Sequence, residues 1–293
     1  MSGRALSMTI ITPSYAPDLE LCRDLRASLQ QCAPGVGHRI IVPHADLAAF
    51  AVLARGNATV EDVNSVMPAG FRKVPFLNAW VSLRSPLPPV RGWIAQQIVK
   101  LAAVARARTD IALVVDSDVA FLRPFDAATF APHGRLPLYR IPGAVTPALP
   151  RHMIWHRVAR QLLGLPPTSS TALPDYICWP CAWSPAVVRA MLERVQGVTG
   201  RHWAAAIGRE LHFSEMILYG VYVDEVLGAD PRDATRDMRC PSHPDEIPLD
   251  RSGFDEFLRG VRETDVAVMV SAKSGTALEV RRAALAEFVA AMR

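Results

Sequence analysis

Asp116 and Asp118 stand one residue apart at the end of a short apolar run, Ile111-Ala-Leu-Val-Val115. That run is rich in β-branched side chains and reads as a buried strand. Side chains alternate along a strand, so residues i and i+2 face the same way. The two carboxylates therefore leave the carboxyl end of the strand together, or as it turns into a loop. Open α/β sheets bind their ligands at that end. Two neighbouring carboxylates do not both stay ionised without a counter-charge. A hard divalent cation, Mn²⁺ or Mg²⁺, bridging them to a phosphate would supply it. The competing reading of Asp-Ser-Asp is a turn with a helix cap.

Other side chains able to do chemistry are scattered along the chain. Ser214 is placed to cap a helix whose first turn holds Glu215. Glu215 is then either an electrostatic cap or a base whose proton affinity a dry site raises. Lys100 is one of three lysines, with Lys73 and Lys273, in an arginine-rich chain. It lies on the helix before the Asp116 strand, either on a solvated face or within reach of a phosphate. Lys273 sits in a polar loop, Ser271-Ala-Lys-Ser-Gly275, that could also meet phosphate. Thr12, Ser14 and Tyr15 follow the first strand, where Tyr15 could stack on a base and the two hydroxyls could hydrogen-bond. His152 and His156 have i, i+4 spacing, but no glutamate completes a zinc motif. Cys178 and Cys181 form a lone Cys-x-x-Cys, which reads as ordinary buried thiols.

Five motifs in order carry a resemblance. They are Thr12-Pro-Ser-Tyr15, Gly92-Trp…Gln97…Lys100-Leu101, Asp116-Ser-Asp118, Arg151-His…Trp155-His156 and Phe213-Ser-Glu215…Leu218-Tyr-Gly220. Together they resemble a largely uncharacterised bacterial family of glycosyltransferases with the GT-A fold. The resemblance implies a Rossmann-like α/β fold with a mostly parallel central sheet flanked by helices. It implies transfer of a sugar from a nucleotide diphosphate sugar, a UDP-sugar as first choice, in bacterial glycan synthesis. The acceptor, whether glycan, lipid or protein, is left open. The resemblance further implies a metal held by Asp118, with Asp116 on the ribose or on the metal through water, and His243 as a late ligand. Gln97, Lys100 and Lys273 then serve the donor, and Glu215 is the base if the reaction inverts. Related sequences more often carry Gly-Asn where this chain has Cys178-Trp-Pro-Cys181. The rival readings are a nucleotidyltransferase, which would favour a glycine-rich loop after the first strand, and a non-catalytic binding protein of the same fold.

The elements that must position these residues follow from periodicity. Strands are expected at Met8–Thr12, Arg39–Val42, Ile111–Val115, near Leu138, within Tyr176–Trp183 and at Val266–Val270. Helices are expected from Asp18 to about residue 31, at Ala45–Ala54, Glu61–Val66, Arg91–Arg106, Arg151–Leu163, Val187–Val195, Trp203–Ile207, from Ser214, and from Thr276. Residues 68–92 are Pro-rich and read as an irregular surface excursion. The β-α-β-α opening argues for a doubly wound parallel sheet. One domain over residues 1–293 is expected, with a nucleotide part to about 125 and an acceptor part beyond it. Half of the 293 residues are hydrophobic and the net charge is +4. That balance excludes a nucleic-acid reading, and fits an anionic small substrate or weak contact with a membrane surface. No apolar run approaches the ~20 residues of a membrane span, and the amino terminus lacks a signal-peptide core. A cytoplasmic location is the expectation, and five cysteines do not suggest a disulfide framework.

Overall fold

The computed structural model describes residues 5–74, 77, 79–82 and 85–292. The amino-terminal reading over residues 1–4, and the parts of the Pro-rich stretch at 75, 76, 78, 83 and 84, lie outside the described residues. The expected α/β architecture is observed. β1 (Met8–Pro13) is buried along its whole length, as a strand covered on both faces must be. α1 (Leu19–Cys32) follows and buries Cys22, Leu25 and Leu29 at helical spacing. β2 (Gly37–Val42) then pairs parallel to β1.

Two corrections follow. The helix expected over Ala45–Ala54 is broken into single turns around α2 (Leu47–Phe50). The helix expected over Glu61–Val66 is the end of a strand, β3 (Ala58–Asp62), parallel to β2, and then one turn, α3 (Val63–Val66). The Asp62 carboxylate accepts from Asn64 N at 2.8 Å, so the helix starts only after that cap.

The Pro-rich stretch is a small antiparallel sheet: β4 (Phe71–Lys73), β5 (Ala79–Ser82) and β6 (Ser85–Arg91). Trp80 and Val90 face each other across it and both are buried. It leads into α4 (Gly92–Ala105), which is buried on nearly every side, Gln97 and Lys100 included. A helix apolar almost all round belongs in the core, so the solvated-face reading of Lys100 is overturned. β7 (Ile111–Val114) pairs parallel to β1 on the side opposite β2.

β8 (Val119–Phe121), α5 (Ala127–Phe130), β9 (Leu138–Tyr139), β10 (Ile141–Val145), α6 (Pro150–Leu162) and β11 (Leu173–Asp175) come next. β12 (Cys181–Trp183) returns to the central sheet and runs antiparallel along the outer edge of β7. The strand order is therefore β12-β7-β1-β2-β3. α7 (Pro185–Thr199), α8 (Trp203–Gly208) and α9 (Glu215–Val221) follow, and α9 widens into a π-helical turn at Tyr222–Val226. β13 (Ala234–Thr235) pairs with β9. β14 (Ser242–His243), α10 (Arg251–Arg259), β15 (Ala267–Val270) and α11 (Leu278–Ala291) complete the chain. β15 lies between β14 and β8.

Strand alternation divides the core in two. Ile10, Ile111 and Leu113 pack with Leu25 and Leu29 of α1. Ile11, Ala112 and Val114 pack with Ile94, Ile98 and Leu101 of α4. The chain runs outward from β1 through β2 and β3, then crosses back to β7. That reversal puts a topological switch point between β1 and β7. Among the described residues no helix is long and apolar enough to cross a membrane.

Candidate active site

Alternation in β7 decides where Asp116 points. Ala112 and Val114 face α4, so Asp116 continues on that face. Lys100 meets it there: its Nζ is 2.9 Å from Asp116 Oδ1 and 3.5 Å from Glu215 Oε1. Lys100 is 6% exposed and Glu215 4%. Gln97 lies one turn before Lys100 on the same helix face, and its Oε1 accepts from Glu215 N at 2.9 Å. Ser214 caps α9 as expected, its Oγ accepting from Ile217 N at 3.3 Å. Thus Gln97, Lys100, Asp116 and Glu215 come together beneath the switch point. Burial opposes the ammonium of Lys100, but Asp116 and Glu215 outweigh it and hold the proton more firmly than usual. Burial raises the Glu215 carboxyl above its ordinary range, against the pull of Lys100.

Asp118 turns to the other side of the loop. Its Oδ2 accepts from Ala272 N at 3.0 Å, just past β15. Its carbonyl accepts from the guanidinium of Arg281, a buried side chain on α11 that also donates to Val270 O at 2.8 Å. Burial, then the Asp116 charge, raise the Asp118 carboxyl, while the Ala272 amide and Arg281 oppose them. A third carboxylate joins this rim. Burial, then Asp118 and Asp116, push Asp18 up from 3.8 to about 6. The sequence reading placed Asp18 only at the start of a helix, and its side chain makes no cap hydrogen bond there. Its place in the loop after β1, on the ligand edge, was the signal that it belonged to the site. Arg281 left no such signal, because one arginine on an amphipathic helix carries none.

The remaining expected site residues are distributed less uniformly. The Thr12 hydroxyl is buried against His38 Nε2 at 2.9 Å, which commits it within the sheet. Ser117 Oγ donates to Ser14 Oγ at 2.8 Å, tying the β1 loop to the Asp116–Asp118 loop. Tyr15 is 49% exposed beside them. His243 lies on β14, with Nε2 2.8 Å from Ile247 O and Nδ1 3.9 Å from Asp245 Oδ2. Among the described residues no three His, Cys, Asp or Glu side chains are grouped to hold a metal ion. Lys273 stands exposed on the turn that starts with Ala272, 3.8 Å from Glu246 Oε1. His152 and His156 diverge: His156 Nε2 is 2.8 Å from Pro174 O, and the His152 ring lies against Trp155. Cys178 and Cys181 are free buried thiols with sulfurs 3.7 Å apart. Trp183 is core, stacked on Tyr219.

Beside the first turn of α9 opens a cavity of about 760 Å³, lined among others by Met216, Tyr219, Cys178 and Trp183. The site thus combines a rim of three carboxylates, a buried ammonium behind it, a buried glutamate and an adjoining chamber. That arrangement can hold a cation against an anionic ligand and take a proton from a neighbouring hydroxyl.

A family model described as a family of unknown function (DUF6492) matches residues 3–243, and the chain belongs to that family. No curated protein matches the chain. Among solved structures, a mannosyl-3-phosphoglycerate synthase from Rubrobacter xylanophilus is similar at 17% identity and a TM-score of 0.24, over 42% of this chain and 33% of its own. A mycobacterial protein is similar at 17% identity and a TM-score of 0.25, over 41% and 33%. The chain spans about a third of the length of these solved structures.

Proposed function

We propose that this member of a family of unknown function transfers a sugar from a nucleotide diphosphate sugar to an acceptor hydroxyl. One observation carries the reading. Residues from three separate segments, Gln97 and Lys100 on α4, Asp116 and Asp118 in the loop after β7, and Glu215 on α9, lie at the carboxyl end of the sheet beside its switch point. On this reading residues to about 125 serve the nucleotide and the rest serve sugar and acceptor.

Asp116 and Asp118 offer hard carboxylate oxygens, which suit Mn²⁺ or Mg²⁺. The protein alone supplies no group of three ligands among the described residues. These residues therefore fit a cation shared with the donor's phosphates, of the kind held by one or two carboxylates plus substrate. A cation so held would offset charge on the diphosphate leaving group. Lys100 fixes Asp116 in place and offsets part of the same charge. Tyr15 offers a ring face to the base. Glu215, kept dry and hydrogen-bonded at its amide by Gln97, takes the acceptor proton if configuration inverts. His243 Nε2 is committed to Ile247 O at 2.8 Å, which leaves Nδ1 as the ring nitrogen that could join.

The test is a thermal-shift screen of UDP, GDP, CDP and dTDP and their sugars, with and without Mn²⁺. A ligand present at ~100 times its Kd stabilises the folded state by about 2.7 kcal/mol. The expected result is a rise in Tm that needs nucleotide and metal together and is lost in Asp118→Asn. No rise with any nucleotide, or an equal rise in Asp118→Asn, would overturn the reading.

A further inference from the structure

Among the described residues, two that are not glycine have left-handed backbone: His133, at φ 57°, and Arg239, at φ 55°. Both line the same cavity of about 760 Å³. Glycine adopts this conformation without the steric cost that any Cβ brings. A residue kept there against that cost points to a use for its side chain. The Arg239 backbone is fully engaged. Its N–H donates to Asp237 Oδ1 at 2.9 Å, and its carbonyl accepts from Val266 N at 2.9 Å and Ala267 N at 3.2 Å.

The side chains are not engaged. Neither the His133 ring nor the Arg239 guanidinium makes a hydrogen bond or ion pair with a described residue, and only the field of Arg239 reaches Asp237. The two carboxylates that line the chamber already have cations: Asp233 lies 3.4 Å from Arg135, and Asp237 lies 2.6 Å from Arg262. The lining also carries aromatic rings, those of Tyr139, Trp183 and Tyr219. Flat rings suit the apolar face of a sugar or a similar small body. The volume is that of a small-molecule site, and Met216, which follows Glu215, forms part of its lining.

We propose that this cavity binds a small acceptor with an anionic head, phosphate or carboxylate, held by Arg239 and His133. Arginine offers a planar fork that matches either oxyanion, and a histidine ring N–H donates to both. The placement of this acceptor rests on the transfer reading above, because it sets the acceptor beside Met216, the residue after the base Glu215. The binding site itself does not depend on that reading.

The experiment is calorimetric titration of the full chain, with UDP and Mn²⁺ present, using glucose 6-phosphate, glucuronate and glucose as probes. At least one anionic probe should bind ten times or more tightly than glucose, and which of them does so separates phosphate from carboxylate. Arg239→Gly should bring that probe down to the level of glucose, with no fall in Tm, since glycine suits the left-handed backbone. His133→Gly should weaken the same probe under the same criterion. Equal affinity for all three probes, no binding of any, or unchanged affinity in Arg239→Gly would overturn the proposal. The response to UDP and Mn²⁺, recorded without the probes, is a separate readout. Its absence in the native chain counts against the transfer reading, and anion binding lost in Arg239→Gly with that response intact is specific to the cavity.

Discussion

At the residue scale, Lys100 is the centre of the buried site. Its ammonium lies between Asp116 and Glu215, and neither carboxylate could tolerate this burial beside the other without it. Lys100→Met keeps much of the volume and removes the charge. The expected loss is about 3–5 kcal/mol of stability, the cost of leaving buried charge unpaired, read from urea denaturation midpoints. Adding Glu215→Gln should recover part of it, because residues in contact are coupled by about 0.5–3 kcal/mol. A loss below ~1 kcal/mol in the single variant would mean that water already screens the site. The importance of Lys100 could be suspected from its position before the Asp116 strand and from family resemblance. Its burial could not, because the stripe of Ile94, Ile98 and Leu101 covers only one side of α4. The other side is covered by α7, α8, α9 and the small sheet, all placed by long-range packing.

At the element scale, α9 depends on Gly220. A Cβ there would sit 2.1–2.5 Å from ring atoms of Tyr176. That ring cannot easily retreat, since Tyr176 Oη donates to Asp224 Oδ2 at 2.5 Å and Arg140 holds the same oxygen at 2.6 Å. Alanine is the better helix former by ~1 kcal/mol, but overpacking costs about 1–3 kcal/mol or more. Gly220→Ala should therefore lower stability in thermal denaturation, and a variant as stable as the native chain would show that the helix can slide away. The Leu-Tyr-Gly motif was visible in the sequence, and its reason for glycine was not, because Tyr176 lies 44 residues away. The same limit explains the misread elements. β3 is an edge strand with one buried residue, Ala58, in five, so it lacks the apolar pattern that exposed β1 and β7. β6 carries three prolines, which usually mark loops, and the pairing of β4 to β6 depends on the core beneath Trp80 and Val90. Most strands and helices with a full apolar period were legible where they stand, but α10, which buries Phe254 and Leu258, was missed.

At the scale of the whole molecule, charge crowded onto one end of the sheet makes stability depend on pH. Asp18 has a folded value of about 6 against 3.8 ordinarily. Between those values the folded chain keeps a proton that the unfolded chain has lost. The unfolded state binds fewer protons there, so this contribution to stability falls as pH rises from about 4 to about 6 and is level above. His38 acts in the opposite sense: burial, then Arg26, lower it from 6.5 to about 3, so its contribution falls as pH drops below 6.5. Comparing the native chain with Asp18→Asn at pH 4 and pH 6.5 isolates the first effect. The variant should gain stability relative to the native chain at the higher pH, and parallel profiles would rule the effect out.

The antiparallel strand β12 also has a consequence during synthesis. β1, β2, β3 and β7 can pair as soon as residue 114 has left the ribosome. The outer edge of β7, buried at every residue in the finished protein, must then wait for Cys181, 67 residues later. At about 5–20 residues per second, that open edge persists for roughly 3 to 13 s on each nascent chain. Unpaired apolar edges are templates for wrong partners. The interval between β7 and β12 is therefore when a growing chain most needs a chaperone, and a fragment ending before residue 181 should aggregate where the whole chain does not.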